Sequence, residues 1–225
     1  LDRVRNLEFD EIFEQVAIIR EQAEKNYQIP LSNVVYMGMG EPLLNYANVL
    51  KSIEFISSQQ GLNMAPRRIT VSTAGIAKMI RKLGDDQVKF NLALSLHAAN
   101  DKKRDRIMPI NESNNLEVLE EALNYFYDKT GTRVTLEYIV FKNFNDGPED
   151  ARELAAFAKR VVSKINLIEY NPIDGGEFER TTDDKINAFM TELWKNGLVV
   201  NLRRSRGKDI DAACGQLANK AVVNS

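Results

Sequence analysis

NVVYMGMGEP (Asn33–Pro42) and RITVSTAG (Arg68–Gly75) decide the fold between them. Each opens as a short run of β-branched and aromatic residues, the composition of a strand. Each then passes into small residues carrying a polar side chain, Glu41 in the first and Ser72 in the second. KFNLALSLH (Lys89–His97) and KINLIEYNP (Lys164–Pro172) repeat the theme, ending at Ser95-Leu96-His97 and at Asn171. Arg133–Phe141 and Leu198–Leu202 are two further β-rich runs. Between the runs lie helix-like stretches at about 46–59, 76–83, 115–129, 148–162 and 182–196. An amphipathic stretch at 8–26 precedes them all, with Ile12, Phe13, Val16, Ile19 and Ala23 at helical spacing. Strands alternating with helices predict βαβ units and a parallel sheet, an α/β fold.

The polar strand ends choose among α/β folds. In a (β/α) barrel the carboxyl ends of successive strands converge on one mouth and carry the chemistry. An open doubly wound sheet places ligands at a single switch point instead. Glu41, Ser72, Ser95 with His97, and Asn171 end four separate strands. That spread predicts a barrel or partial barrel with one site built from all four. Taken singly, each residue is ordinary: Glu41 before Pro42 starts a turn, Ser72 and Ser95 are strand-end hydroxyls, His97 bonds to nearby backbone, and Asn171 is loop chemistry. Gly38 and Gly40 beside Glu41 add room for backbone to approach a ligand, and a carboxylate there can accept hydrogen bonds from an ammonium group.

Composition bounds the rest. The 225 residues are 44% hydrophobic and 28% charged, enough for a core and a solvated surface in one domain, residues 1–225. No repeat, low-complexity tract or linker divides the chain. No apolar run reaches the length of a membrane span and no signal peptide opens the sequence. One cysteine makes no internal disulfide, so a cytoplasmic, non-membrane, monomeric protein is expected. The net charge of −2 gives no global attraction to nucleic acid. One histidine and one cysteine make neither a zinc site nor a catalytic triad, and no GxGxxG, Walker A or HExxH pattern occurs. The chain begins at Leu1, which reads as a piece of something longer.

Five blocks carry a resemblance: GMGEPLLN (Gly38–Asn45), RRITVSTAG (Arg67–Gly75), LSLHAANDKKRDRIMPIN (Leu94–Asn111), INLIEYNP (Ile165–Pro172) and RGKDIDAACGQLA (Arg206–Ala218). In this order they resemble the radical SAM adenine-C2 RNA methyltransferases, the RlmN family. The related adenine-C8 enzymes of the Cfr type share most blocks but tend to read GEALAN at the first, so Pro42-Leu43-Leu44 favours the C2 branch. The resemblance implies a partial (β/α) barrel of the radical SAM type. It implies S-adenosylmethionine bound by Gly40, Glu41 at its ammonium, Ser72, Ser95, Leu96, His97 and Asn171. It also implies that Cys214 accepts a methyl group from one S-adenosylmethionine. A second molecule, reductively cleaved at a [4Fe–4S] cluster, would then yield a 5′-deoxyadenosyl radical that takes a hydrogen atom from this S-methyl group, and the resulting carbon radical would add to the adenine ring.

The family's cluster motif, C-x-x-x-C-x-x-C, is absent here. So are its first barrel strand, its resolving cysteine, its upstream base and its small RNA-binding domain. These are expected before residue 1, since Arg5-Asn6-Leu7 resembles the segment that follows the cluster loop. The fragment alone is then expected to be inactive. The implied partners are 23S rRNA, tRNA for some members, and an electron donor such as flavodoxin. Arg67-Arg68, Lys102-Lys103-Arg104 and Arg203-Arg204-Ser205-Arg206 are expected near the mouth, where they would meet phosphates. From other classes, an aldolase or isomerase barrel would need a Schiff-base lysine or a late phosphate loop. A catalytically dead RNA-binding barrel would need no cluster.

Overall fold

The computed structural model describes residues 4–37, 40–172 and 176–204. Six strands form one sheet: β1 (Val34–Tyr36), β2 (Ile69–Thr73), β3 (Asn91–Ser95), β4 (Val134–Val140), β5 (Ser163–Glu169) and β6 (Val200–Arg203). All five pairings are parallel and the spatial order is the chain order, β1 through β6. A doubly wound sheet reverses direction at a switch point. This one never does, so every crossover lies on the same side and the sheet curls toward a barrel. The side chain of Arg203, on the last strand, comes within 3.9 Å of the sulfur of Met37, which follows the first. The two edges of the sheet therefore face each other across a concave interior.

The helices are α1 (Phe9–Tyr27), α2 (Tyr46–Ser57), α3 (Ala77–Asp85), α4 (Asp101–Ile107), α5 (Leu116–Thr130), α6 (Pro148–Arg160) and α7 (Asp183–Lys195). Every strand and six of these helices fall within a few residues of the stretches read from periodicity. The exception is α4. Its sequence, DKKRDRI, has no apolar stripe, and its one buried side chain is a charged one, Arg104.

Strand alternation separates two chemistries. Ile69, Val71, Leu92, Leu94, Leu136 and Leu167 point to the convex side and are wholly buried under the helices. The alternate residues face inward and are largely polar. Ser95, Glu137, Asn166 and Asn201 stand side by side in register across β3, β4, β5 and β6. A parallel sheet is normally apolar on both faces. Here the concave face is polar, so it is a surface for something polar rather than a second core.

Candidate functional site

The carboxyl ends of β1, β2 and β3 meet at a cleft of about 200 Å³, bordered by Gly40, Glu41, Ser72, Ser95, His97, Glu137 and Arg203 among others. Five of these were legible as site residues in the sequence, and the fold brings them together.

Glu41 is set by its own backbone neighbours. It caps a 3-10 turn, Pro42–Asn45, and its Oε1 accepts a hydrogen bond from the Leu43 N–H at 3.0 Å. Its Oε2 accepts from the Ala74 N–H, just past β2, at 2.7 Å. The carboxylate thus ties the β1 loop to the end of β2. A carboxylate has about four acceptor positions, so two remain for a ligand. Gly40 has a φ of +84° and nothing within 4 Å of the position a Cβ would take. A glycine suits that backbone, and its open side leaves the approach to Glu41 clear.

The Oγ atoms of Ser72 and Ser95 lie 3.4 Å apart on adjacent strands. His97 follows β3 with a φ of +56°, a left-handed conformation rarely held by a residue with a side chain. Fully buried Asn145 holds it there: its Nδ2 donates to the His97 carbonyl at 2.7 Å and to the Ile139 carbonyl at 2.8 Å. His97 Nδ1 accepts from the Ile139 N–H at 3.2 Å. The neutral ring therefore carries its proton on Nε2, a tautomer assigned from this hydrogen bond. Burial, with help from the Arg104 charge, pushes the imidazole down to about 4.

The folded-state value lies below the ordinary 6.5, so the unfolded chain takes up its proton first as pH falls. The stability that His97 confers is complete above about pH 6.5 and declines between there and about pH 4. His97→Asn keeps an acceptor and tolerates positive φ but does not titrate. Urea unfolding of this variant should show a flatter stability profile over that window. An unchanged slope would mean that other groups set it.

Two further residues of the implied binding set are buried. Leu96 is fully buried in the core beneath the cleft, not beside it. Asn171 is also buried, two residues past the end of β5. Cys214, Gly38, Ser205 and Arg206 lie outside the described residues. Arg67 and Arg68 are exposed but stand in a 3-10 turn that enters β2, at its amino end. A five-residue strand puts them roughly 16 Å from the cleft rim. Lys103 pairs with Asp150 at 2.5 Å, and Arg104 has no exposed surface. None of these four cations lines the cleft: Arg67 and Arg68 lie at the opposite end of β2, contrary to the expectation, whereas Arg104 is near the strand ends but turned inward, donating to the Ala74 and Ser95 carbonyls. Lys102 and Arg204 are exposed, and Arg203 reaches into the cleft.

The sequence reading missed Glu137. It sits in the middle of β4, a strand assigned no polar end, and is almost fully buried. Its Oε1 accepts from Asn166 Nδ2 at 2.9 Å, and its Oε2 pairs with Arg203 at 3.3 Å. Alternation was the available signal, since Glu137 faces inward in register with Ser95.

The Radical SAM superfamily model matches residues 3–158. The chain belongs to the radical SAM superfamily. Among radical SAM relatives, it is 63% identical over 222 residues to a probable dual-specificity RNA methyltransferase RlmN from Cytophaga hutchinsonii, covering 99% of this chain and 61% of that protein. A like-named protein from Christiangramia forsetii is 55% identical, covering 99% of this chain and 63% of that protein. The crystal structure of a radical SAM methyltransferase from Sphaerobacter thermophilus aligns with a TM-score of 0.91 at 37% identity, covering 95% of this chain and 62% of that one. The chain thus spans about three-fifths of the length of these relatives. The first two bear the name of the family that the sequence blocks resemble, and the third is titled a radical SAM methyltransferase.

Proposed function

We propose that residues 1–225 are the S-adenosylmethionine-binding core of a radical SAM enzyme that methylates adenine C2 in 23S rRNA and in tRNA. The observation that carries this reading is the arrival of Glu41, Ser72, Ser95 and His97 from three neighbouring strand ends at one cleft.

The residues present fit S-adenosylmethionine. The ligand is polar and cationic, and the cleft offers it the free acceptor positions of Glu41, two hydroxyls, and an imidazole with its proton on Nε2. When bound, S-adenosylmethionine supplies methyl groups and, through reductive cleavage, the radical that gives the superfamily its chemistry. Glu41 would hold the ammonium. Ser72, Ser95 and His97 would fix the rest by hydrogen bonds, and Leu96, buried beneath them, would support the His97 turn. Asn171 closes the binding set and Cys214 is the methyl acceptor, both on sequence grounds. The [4Fe–4S] cluster does not fit this chain by itself. Cluster ligation takes several thiolates, and one cysteine is present. The cluster ligands therefore belong to another part of the protein, and an electron donor such as flavodoxin would serve them.

An adenine-C8 product is the second reading within the same superfamily, disfavoured by Pro42-Leu43-Leu44. Among the described residues no helix is long and apolar enough to cross a membrane. A cytoplasmic monomer fits an enzyme whose substrate is ribosomal RNA.

Two measurements test the proposal. RNA treated with the full-length protein, reductant and S-adenosylmethionine, then digested to nucleosides, should contain 2-methyladenosine. 8-methyladenosine would contradict the C2 assignment. In titrations of ligand binding, Glu41→Gln should weaken S-adenosylmethionine by about tenfold or more, and Ser72→Ala by less. Hydrogen bonds to charged groups are worth about 1.5–3 kcal/mol against roughly 0.5–1.5 for neutral ones. Equal small losses would move the ammonium away from Glu41.

A further inference from the structure

Arg104 is wholly buried, with its guanidinium directly behind the cleft. A buried charge is costly unless its hydrogen bonds are made. Among the described residues no carboxylate pairs with it directly. Its acceptors are instead three backbone carbonyls at the ends of two strands, the Asn111 side chain and, at 3.5 Å from Nη1, the Asn114 carbonyl. Nη2 donates to the Ala74 carbonyl at 2.7 Å and to the Ser95 carbonyl at 3.4 Å, and Nε donates to the Leu96 carbonyl at 3.2 Å. Nη1 donates to Asn111 Oδ1 at 2.6 Å. Asn111 Nδ2 in turn donates to Asp101 at 2.9 Å and to Asp105 at 2.7 Å, so the balancing negative charge sits one side chain away.

Each of the three strand-end carbonyls belongs to a residue that sets the cleft. Ala74 gives its N–H to Glu41. Ser95 bears one of the cleft hydroxyls, and Leu96 leads into His97. A leucine would fill the same volume without the desolvation cost. A guanidinium can bridge three carbonyls in a fixed fork, and a lysine cannot.

We propose that Arg104 is a positioning residue for the ligand cleft, locking the ends of β2 and β3 together so that Glu41, Ser95 and His97 address one ligand. The proposal rests on the reading of the cleft as the S-adenosylmethionine site. Its route is specific: Arg104 holds Ala74, and Ala74 holds Glu41.

The test uses the full-length protein, labelled with ¹⁵N, as wild type, Arg104→Lys, Glu41→Gln and the double variant. Arg104→Lys should move the Ala74 amide resonance without ligand, as Glu41→Gln should. It should also raise the S-adenosylmethionine dissociation constant about tenfold, the scale of one charge-assisted hydrogen bond. The double variant should bind little worse than Glu41→Gln alone, because both changes break one chain of contacts. If Arg104→Lys fails to fold, the Arg104 Nε–H resonance in the Glu41→Gln protein decides: it should differ from wild type. An unmoved Ala74 amide, an unmoved Nε–H signal, or losses that multiply in full would overturn the positioning role. Wild-type protein that binds no S-adenosylmethionine would instead overturn the reading of the cleft. The ligand-free resonances would still judge Arg104.

Discussion

Cys214→Ala in the full-length protein is expected to abolish adenine methylation, a loss of roughly a thousandfold or more, as removal of a covalent nucleophile generally causes. The argument is chemical. A thiolate is the side-chain group best suited to accept a methyl group near neutral pH, and Cys214 is the one thiol in 225 residues. Alanine cannot take its place, and these 225 residues hold no other thiol. The same variant should bind S-adenosylmethionine within about twofold of wild type, because the proposed ligand contacts are those of Glu41, Ser72, Ser95 and His97 at the cleft. Mass analysis should find a methyl increment on the peptide carrying Cys214 in the wild-type protein. A normal methylation rate in Cys214→Ala would make the sulfur a bystander.

Gly75→Ala is expected to destabilise the chain by about 2–5 kcal/mol, adding backbone strain to overpacking. Gly75 ends the turn after β2 with a φ of +110°. A Cβ there would lie 3.0 Å from a Leu119 methyl, 3.1 Å from a Leu94 methyl and 3.3 Å from Arg104 Nη2. The first two are core side chains with no exposed surface, so neither has room to withdraw. Such a cost is a large part of the roughly 5–15 kcal/mol that holds a domain folded. Gly40→Ala is the comparison: a similar sign of φ but an open surrounding, and hence strain alone. Denaturant midpoints of the two variants separate the terms. Equal losses would show that packing around Gly75 yields easily.

The strands and their order were legible because β-branched runs and helical stretches alternate without interruption. The site was legible where polarity interrupts a strand end, as at Glu41, Ser72, Ser95 and His97. It failed where polarity hides inside a strand. Glu137 lies among Leu136, Tyr138 and Val140, so only the alternation of that run marks it as facing inward, in register with Ser95. Basic residues misled for the opposite reason. Lys102-Lys103-Arg104 looks like a solvated patch, yet the short helix α4 turns Arg104 inward, and burial of a guanidinium has no local signature. Arg67-Arg68 adjoins a site-bearing strand in sequence but at its far end, and adjacency in sequence does not say which end of a strand a residue occupies. Asn145 was invisible because what it bonds to lies far apart in sequence, His97 just past β3 and Ile139 on β4.

The central claim is that one cleft at the carboxyl ends of β1, β2 and β3 binds S-adenosylmethionine. The most direct measurement is a titration of the ¹⁵N-labelled full-length protein with S-adenosylmethionine, followed residue by residue in amide spectra. Saturable shifts should concentrate on Ala74, Ser95 and Ile139, whose amides report on Glu41, the cleft hydroxyls and His97. Saturable binding that leaves those amides unmoved and shifts the groove between α3 and α5 instead, around Lys78 and Arg81, would contradict the account.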